Sequence, residues 1–105
     1  MINNTPVHEI PHFDKCAGGE IPLIANVPTL LLAANSSRAY AAIINNSPVE
    51  VTVILADKSK AVVNKGIILK PRGGSFEINS ANLYVGNISA IAADTSKLSF
   101  VECNS

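Results

Sequence analysis

Tryptophan is absent from this chain, methionine occurs once, and aromatic residues make up only 5% of it. Few flat surfaces are therefore on offer for stacking against bases or sugar rings, the usual resource of single-strand and glycan readers. Charge is scarce as well. Asp, Glu, Lys and Arg together reach 15% of the residues and the formal net charge is zero, where about a quarter is typical. Long-range steering towards nucleic acid or a membrane surface is thus not expected, and low charge density near neutrality favours self-association. No apolar run approaches the ~20 residues that a membrane helix needs. The first residues also lack a basic segment followed by an apolar run, so no secretory leader is expected. Without one, the Asn-x-Ser/Thr triplets beginning at Asn3, Asn35, Asn45 and Asn87 say nothing about glycans.

Catalytic resources are equally thin. The only histidines are His8 and His12, and the carboxylates are scattered singly along the sequence. A Ser-His or Cys-His pair would need the start of the chain folded onto the rest. His8-Glu-Ile-Pro-His12 matches the H-E-x-x-H pattern of zinc proteases by letter. That pattern works only on a helix that puts both histidines on one face. Pro11 inside the needed turn removes a hydrogen bond and clashes with the turn before it, so these are read as polar residues of an extended arm. A looser metal site from His8, His12 and Cys16 is the sharper alternative. The expectation is a protein that is not an enzyme and holds no cofactor. Cys16 and Cys103 sit near opposite ends; a disulfide would close that loop, but synthesis in a cytosol makes free thiols the expectation.

What the chain does have is apolar residues (48%) interrupted by Asn, Ser, Pro and Gly. Its 105 residues suit one domain, large enough to bury roughly two thirds of its unfolded surface. Residues 1–22 read as an arm. Pro6, Pro11 and Pro22 push their predecessors towards extended backbone, and apolar residues occur only in isolation, at Ile2, Val7, Ile10 and Phe13. Fully extended, such an arm reaches ~70 Å. The domain proper is then 23–105.

From Leu23 onward the texture is β. Thr29–Leu32, Arg38–Ile44, Val49–Leu55, Ala61–Val63, Ile67–Leu69, Ser75–Ile78, Leu83–Val85, Ile88–Ala93 and Leu98–Glu102 read as strands or pieces of strands. In Val49–Leu55 the odd-numbered residues share one face while Glu50, Thr52 and Ile54 take the other, with Glu50 and Thr52 in water. Pro71 followed by Gly73-Gly74 spells a type I turn closed by a glycine bulge. Gly86-Asn87 spells either a two-residue hairpin turn or a bulge in one bent strand. A helix over Leu30–Ala42 is the competing reading, opposed by Asn35-Ser-Ser37 in its middle. Short strands at regular spacing predict an all-β fold, a small antiparallel β-sandwich or β-barrel.

Two surface groups stand out. Lys58, Lys60, Lys65, Lys70 and Arg72 crowd one stretch opposed only by Asp57, a candidate loop for an anionic partner or a set of solvated lysines that blunts a strand edge. Arg38, at a turn entering a strand, is either a structural arginine bonded to loop carbonyls or half of a subunit-interface ion pair.

Four segments carry a resemblance. They are Leu31-Leu-Ala-Ala-Asn-Ser-Ser-Arg38, Ile43-Ile-Asn-Asn-Ser47, Gly66-Ile-Ile-Leu-Lys-Pro-Arg-Gly-Gly74 and Leu83-Tyr-Val-Gly-Asn-Ile-Ser-Ala-Ile-Ala-Ala93. Their order over residues 27–102 resembles that of small bacteriophage virion β-modules, the capsid decoration (cement) and head-fibre type proteins. Arg72 is an extra residue within the family's Pro-Gly-Gly turn, and the segment between Ala56 and Gly66 is richer in lysine. The resemblance implies a structural virion protein on the phage head surface, made in the host cytoplasm. It also implies a homotrimer that binds the major capsid protein. Ile2, Val7, Ile10, Phe13 and Arg38 are then the candidate interface residues, with the arm added to a neighbour as an extra strand. The alternative is a tail or fibre module that binds host-surface glycans through Tyr40, Tyr84 and the lysine loop. A bacterial structural protein is the third reading.

Overall fold

The computed structural model describes residues 14–105. Eight strands follow one another: β1 Lys15–Leu23, β2 Thr29–Leu32, β3 Arg38–Asn45, β4 Val51–Ile54, β5 Ile67–Leu69, β6 Ser75–Ile78, β7 Ile88–Ile91 and β8 Ser96–Asn104. They form two four-stranded sheets, in the orders β1-β8-β3-β6 and β2-β7-β4-β5. All pairs are antiparallel, and β1 pairs with β8, β2 with β7, β3 with β6 and β4 with β5. The chain is thus one long hairpin with its tip at β4–β5. It is rolled so that β8 also lies beside β3 and β7 beside β4. That is the double-sheet jelly roll. The sheets are not closed on each other, so of sandwich and barrel the sandwich is formed.

The core lies between the sheets. Ala41, Ile43, Ile78 and Leu98 come from one inner face, and Val51, Val53, Leu69, Ile88 and Ala90 from the other. Period two explains most of these placements. Two bulges account for exceptions. Between Leu30 and Leu32 the register of β2 on β7 shifts, so the successive residues Leu31 and Leu32 are both buried. Between Arg38 and Tyr40 the register of β3 on β8 shifts in the same way. Arg38 would otherwise share the outer face with Tyr40; the extra residue turns it inward.

The connections separate into two ends. β1–β2, β3–β4, β5–β6 and β7–β8 meet at the first end, tied by Asn26 N–H to Ala92 O, Gly73 N–H to Asn45 O and Asn46 N–H to Lys97 O. β2–β3, β4–β5, β6–β7, Asp14 and the C-terminus lie at the second. There Asn35 N–H donates to Val85 O and Ser105 N–H to Ser37 O.

Several expectations change. Residues 15–22, read as part of the arm, form β1 and pair along their whole length with β8. Ala61–Val63 and Leu83–Val85 are not strands, and Gly86-Asn87 is neither a hairpin turn nor a strand bulge. Thr52 is buried rather than in water, because the loop before β5 folds over it and Asn64 N–H donates to its Oγ1. The Pro71–Gly74 turn does not close a hairpin. It carries the chain from β5 in one sheet to β6 in the other.

Candidate functional site

Arg38 is the largest fully buried side chain among the described residues. Its Nε donates to Glu102 Oε2 at 2.8 Å, and Nη1 donates to the carbonyls of Tyr84 and Gly86 at 2.9 and 3.0 Å. Nη2 donates to Ala33 O at 2.9 Å. The guanidinium therefore fastens the β2–β3 and β6–β7 loops to β8, and its planar fork suits several acceptors at once. Glu102, which the strand pattern places in water, is drawn to 22% side-chain exposure by this ion pair. Of the two roles expected for Arg38, the loop-carbonyl role is the one formed within the chain: its charge is matched by Glu102 and its side chain is wholly covered.

Asn45 does the corresponding work at the first end. Its buried amide donates to Val49 O at 2.7 Å and Leu69 O at 3.0 Å, and its Oδ1 accepts from Ser47 Oγ at 2.6 Å. Its backbone N–H and C=O bond Gly74 and Gly73. One residue thus joins the two adjacent crossings between sheets. Gly74 must be glycine there, since a Cβ would lie 2.3 Å from Lys70 N, whereas Arg72 tolerates a left-handed φ of 57°. Asn45→Ala removes the amide donor from Leu69 O and the shorter of two donors from Val49 O, to which Ser47 Oγ also donates at 3.3 Å. We expect it to cost about 2–3 kcal/mol, read as a lower urea midpoint; a loss below about 0.5 kcal/mol would show that the corner holds without the amide.

Cys16 and Cys103 stand opposite each other in the β1–β8 register, 4.0 Å apart at Cα, and form a disulfide. The expectation of free thiols is corrected, and with it the metal site that used Cys16, whose sulfur is no longer a ligand. His8 and His12 lie outside the described residues, as do Ile2, Val7, Ile10 and Phe13. Among the described residues no group of three or more His, Cys, Asp or Glu side chains is placed to hold a metal ion.

The five cations are not one patch. Lys58 and Lys60 lie in a short 3-10 turn within the β4–β5 loop, with Lys65 close behind. Lys70 and Arg72 sit beyond β5 at the opposite end, three strand residues or about 10 Å away. Lys70 approaches Glu50 at 3.6 Å, an exposed pair worth little. Arg72 borders an open cleft of about 520 Å³ with Asn46 and Pro48; a second, of about 340 Å³, has Glu50 and Asp94 on its wall. The hydroxyl in the first, Ser47 Oγ, donates to Asn45 Oδ1 and Val49 O, and that in the second, Thr52 Oγ1, accepts from Asn64 N–H.

The tyrosines proposed for glycan stacking are both engaged. Tyr84 packs on the core and donates to Asn87 O at 2.9 Å. Tyr40 donates to Glu77 Oε2 at 2.6 Å, and that hydrogen bond to the carboxylate raises its pKa above the usual value.

Reading the sequence missed one feature, the exposed edge of β1. Seven of its nine residues are exposed, so no apolar alternation marks it as a strand. Only the cysteine spacing hinted at it. Comparison of the chain with protein families, with curated proteins and with solved structures gave no match.

Proposed function

We propose that this protein is a non-enzymatic structural component of a bacteriophage virion, a capsid decoration protein that binds the head shell. The observation that carries this reading is the strand order. Eight strands in the orders β1-β8-β3-β6 and β2-β7-β4-β5 make the jelly roll found in viral capsid and lectin domains. Fold alone does not choose a function. The four resembling segments add weight to the virion side, and they coincide with the loops that Arg38 and Asn45 hold. On the lectin side, both tyrosines are already hydrogen-bonded and the lysines are divided between two ends. That favours the shell over the glycan.

In this reading the sandwich packs on the major capsid protein as a homo-oligomer, trimeric by resemblance, and residues 1–13 reach a neighbour. Co-sedimentation with purified phage heads that lack the protein tests it. Saturable binding by the full chain is expected, weakened at least tenfold by deleting residues 1–13, a truncation that leaves β1 intact. Absence of binding by the full chain would overturn the reading. Adsorption to host cells that disappears on changing Lys58, Lys60 and Lys65 to alanine would favour the fibre module instead.

A further inference from the structure

The sandwich has four edge strands, and three are blunted by length or irregularity. β5 has three residues, β6 has four, and β2 has four with a bulge. β1 has nine and, among the described residues, pairs only with β8. Long open edges are templates for another strand.

Which backbone groups β1 offers follows from the phase of its ladder. The 4.0 Å Cα separation of Cys16 and Cys103 marks a non-hydrogen-bonded pair. The phase is confirmed across the sheet. Asn46 N–H bonds Lys97 O and Asn45 N–H bonds Gly74 O, as alternation outward from that pair requires. Residues 17, 19, 21 and 23 therefore bond β8, while Cys16, Gly18 and Glu20 turn N–H and C=O to the open side. No backbone group among the described residues bonds them there. Pro22 falls in the same outward phase, where its missing N–H costs the fold nothing.

We propose that this edge is a strand-addition site for a second copy of the chain, the two β1 strands pairing antiparallel about a two-fold axis at Gly18. In that register Cys16 faces Glu20 of the partner and Gly18 faces its own counterpart. Each pair exchanges two hydrogen bonds. Pro22 falls opposite Asp14 of the partner, at the ladder's end. Neighbouring registers are worse. An axis at residue 17 sets Glu20 directly against Asp14 of the partner on one face, a like-charge pair. An axis at Gly19 sets Pro22 against Cys16 of the partner and loses a bond at each end. The closest backbone approaches are then the non-hydrogen-bonded pairs of Ala17 with Gly19 of the partner that flank the axis, where glycine leaves one side without a side chain.

The contact is two-fold, so it is distinct from any three-fold contact that the resemblance implies and would join such units in even multiples. A single strand pair falls short of the ~1,600 Å² of a standard interface, so a dissociation constant on the order of 0.1 mM is expected. The same pairing is strengthened wherever copies are concentrated.

The test is sedimentation equilibrium of the full chain from low micromolar to millimolar concentration, beside Glu20→Pro and Glu20→Ala. Glu20→Pro removes an outward donor in the phase that already accepts Pro22. It should keep the parent's circular dichroism and urea midpoint while halving the limiting mass. Glu20→Ala keeps the donor and should associate like the parent. A parent that stays monomeric at millimolar concentration, or an odd assembly, would overturn the proposal. So would a folded Glu20→Pro chain with unchanged mass, including the case in which deleting residues 1–13 alone abolishes association.

Discussion

Arg38→Ala is expected to lose about 4 kcal/mol, the scale for removing one partner of a buried ion pair. The guanidinium makes four hydrogen bonds, to Glu102 and to the carbonyls of Ala33, Tyr84 and Gly86. Truncation leaves those three carbonyls without their donor and a half-covered carboxylate without its counter-charge. Domains of this kind are stable by only about 5–15 kcal/mol, so the variant stands near the margin at ordinary temperature. Arg38→Lys keeps the charge but not the fork, and should lose about 2–3 kcal/mol. Glu102→Gln keeps an acceptor and should lose about 1–2 kcal/mol. Urea unfolding of the three variants checks the order. An Arg38→Ala chain within 1 kcal/mol of the parent would show that the loops at this end hold one another without the arginine.

Loss of the Cys16–Cys103 disulfide has an effect of similar size by a different route. The sequence separation is 87, and the loop-entropy account of cross-linking puts that closure at about 4.5 kcal/mol. The stabilisation acts mainly on the unfolded chain, but the folded chain has a local stake as well. Within β1 only Leu23 is buried and Ile21 half-buried, so the ladder to β8 carries little side-chain packing. The double variant Cys16→Ser/Cys103→Ser should therefore lose about 3–5 kcal/mol. Amide exchange should speed up in residues 15–20 before it does in β3. A urea midpoint indifferent to reducing agent, with the reduced mass verified by mass spectrometry, would sink this expectation. The same comparison bears on strand addition, because an edge that frays offers no fixed row of donors to a second copy.

The local pattern of the sequence was sufficient for the all-β class, since a strand with one buried face writes itself as period two. Val51 and Val53 in β4 and Ala41 and Ile43 in β3 are examples. It was also sufficient for the breaks, because Asn, Ser, Pro and Gly favour turns through their own backbone preferences. β1 was illegible for the same reason: Cys16, Gly18, Gly19 and Glu20 bury no apolar face, and the strand exists because β8 offers it a ladder.

Arg38 points inward because of a bulge whose register belongs to β8 as much as to its own strand. The Pro71–Gly74 turn is spelled alike whether the strands it joins pair together or part into two sheets. Only the partners β4 and β3 decide that they part. The disulfide, the division of the lysines between two ends and the open edge likewise depend on which distant segments are brought side by side. Local residues specify φ, ψ and which face is apolar. Long-range pairing specifies neighbours, and for this protein the neighbours decide what Arg38, Asn45, Cys16 and Cys103 do.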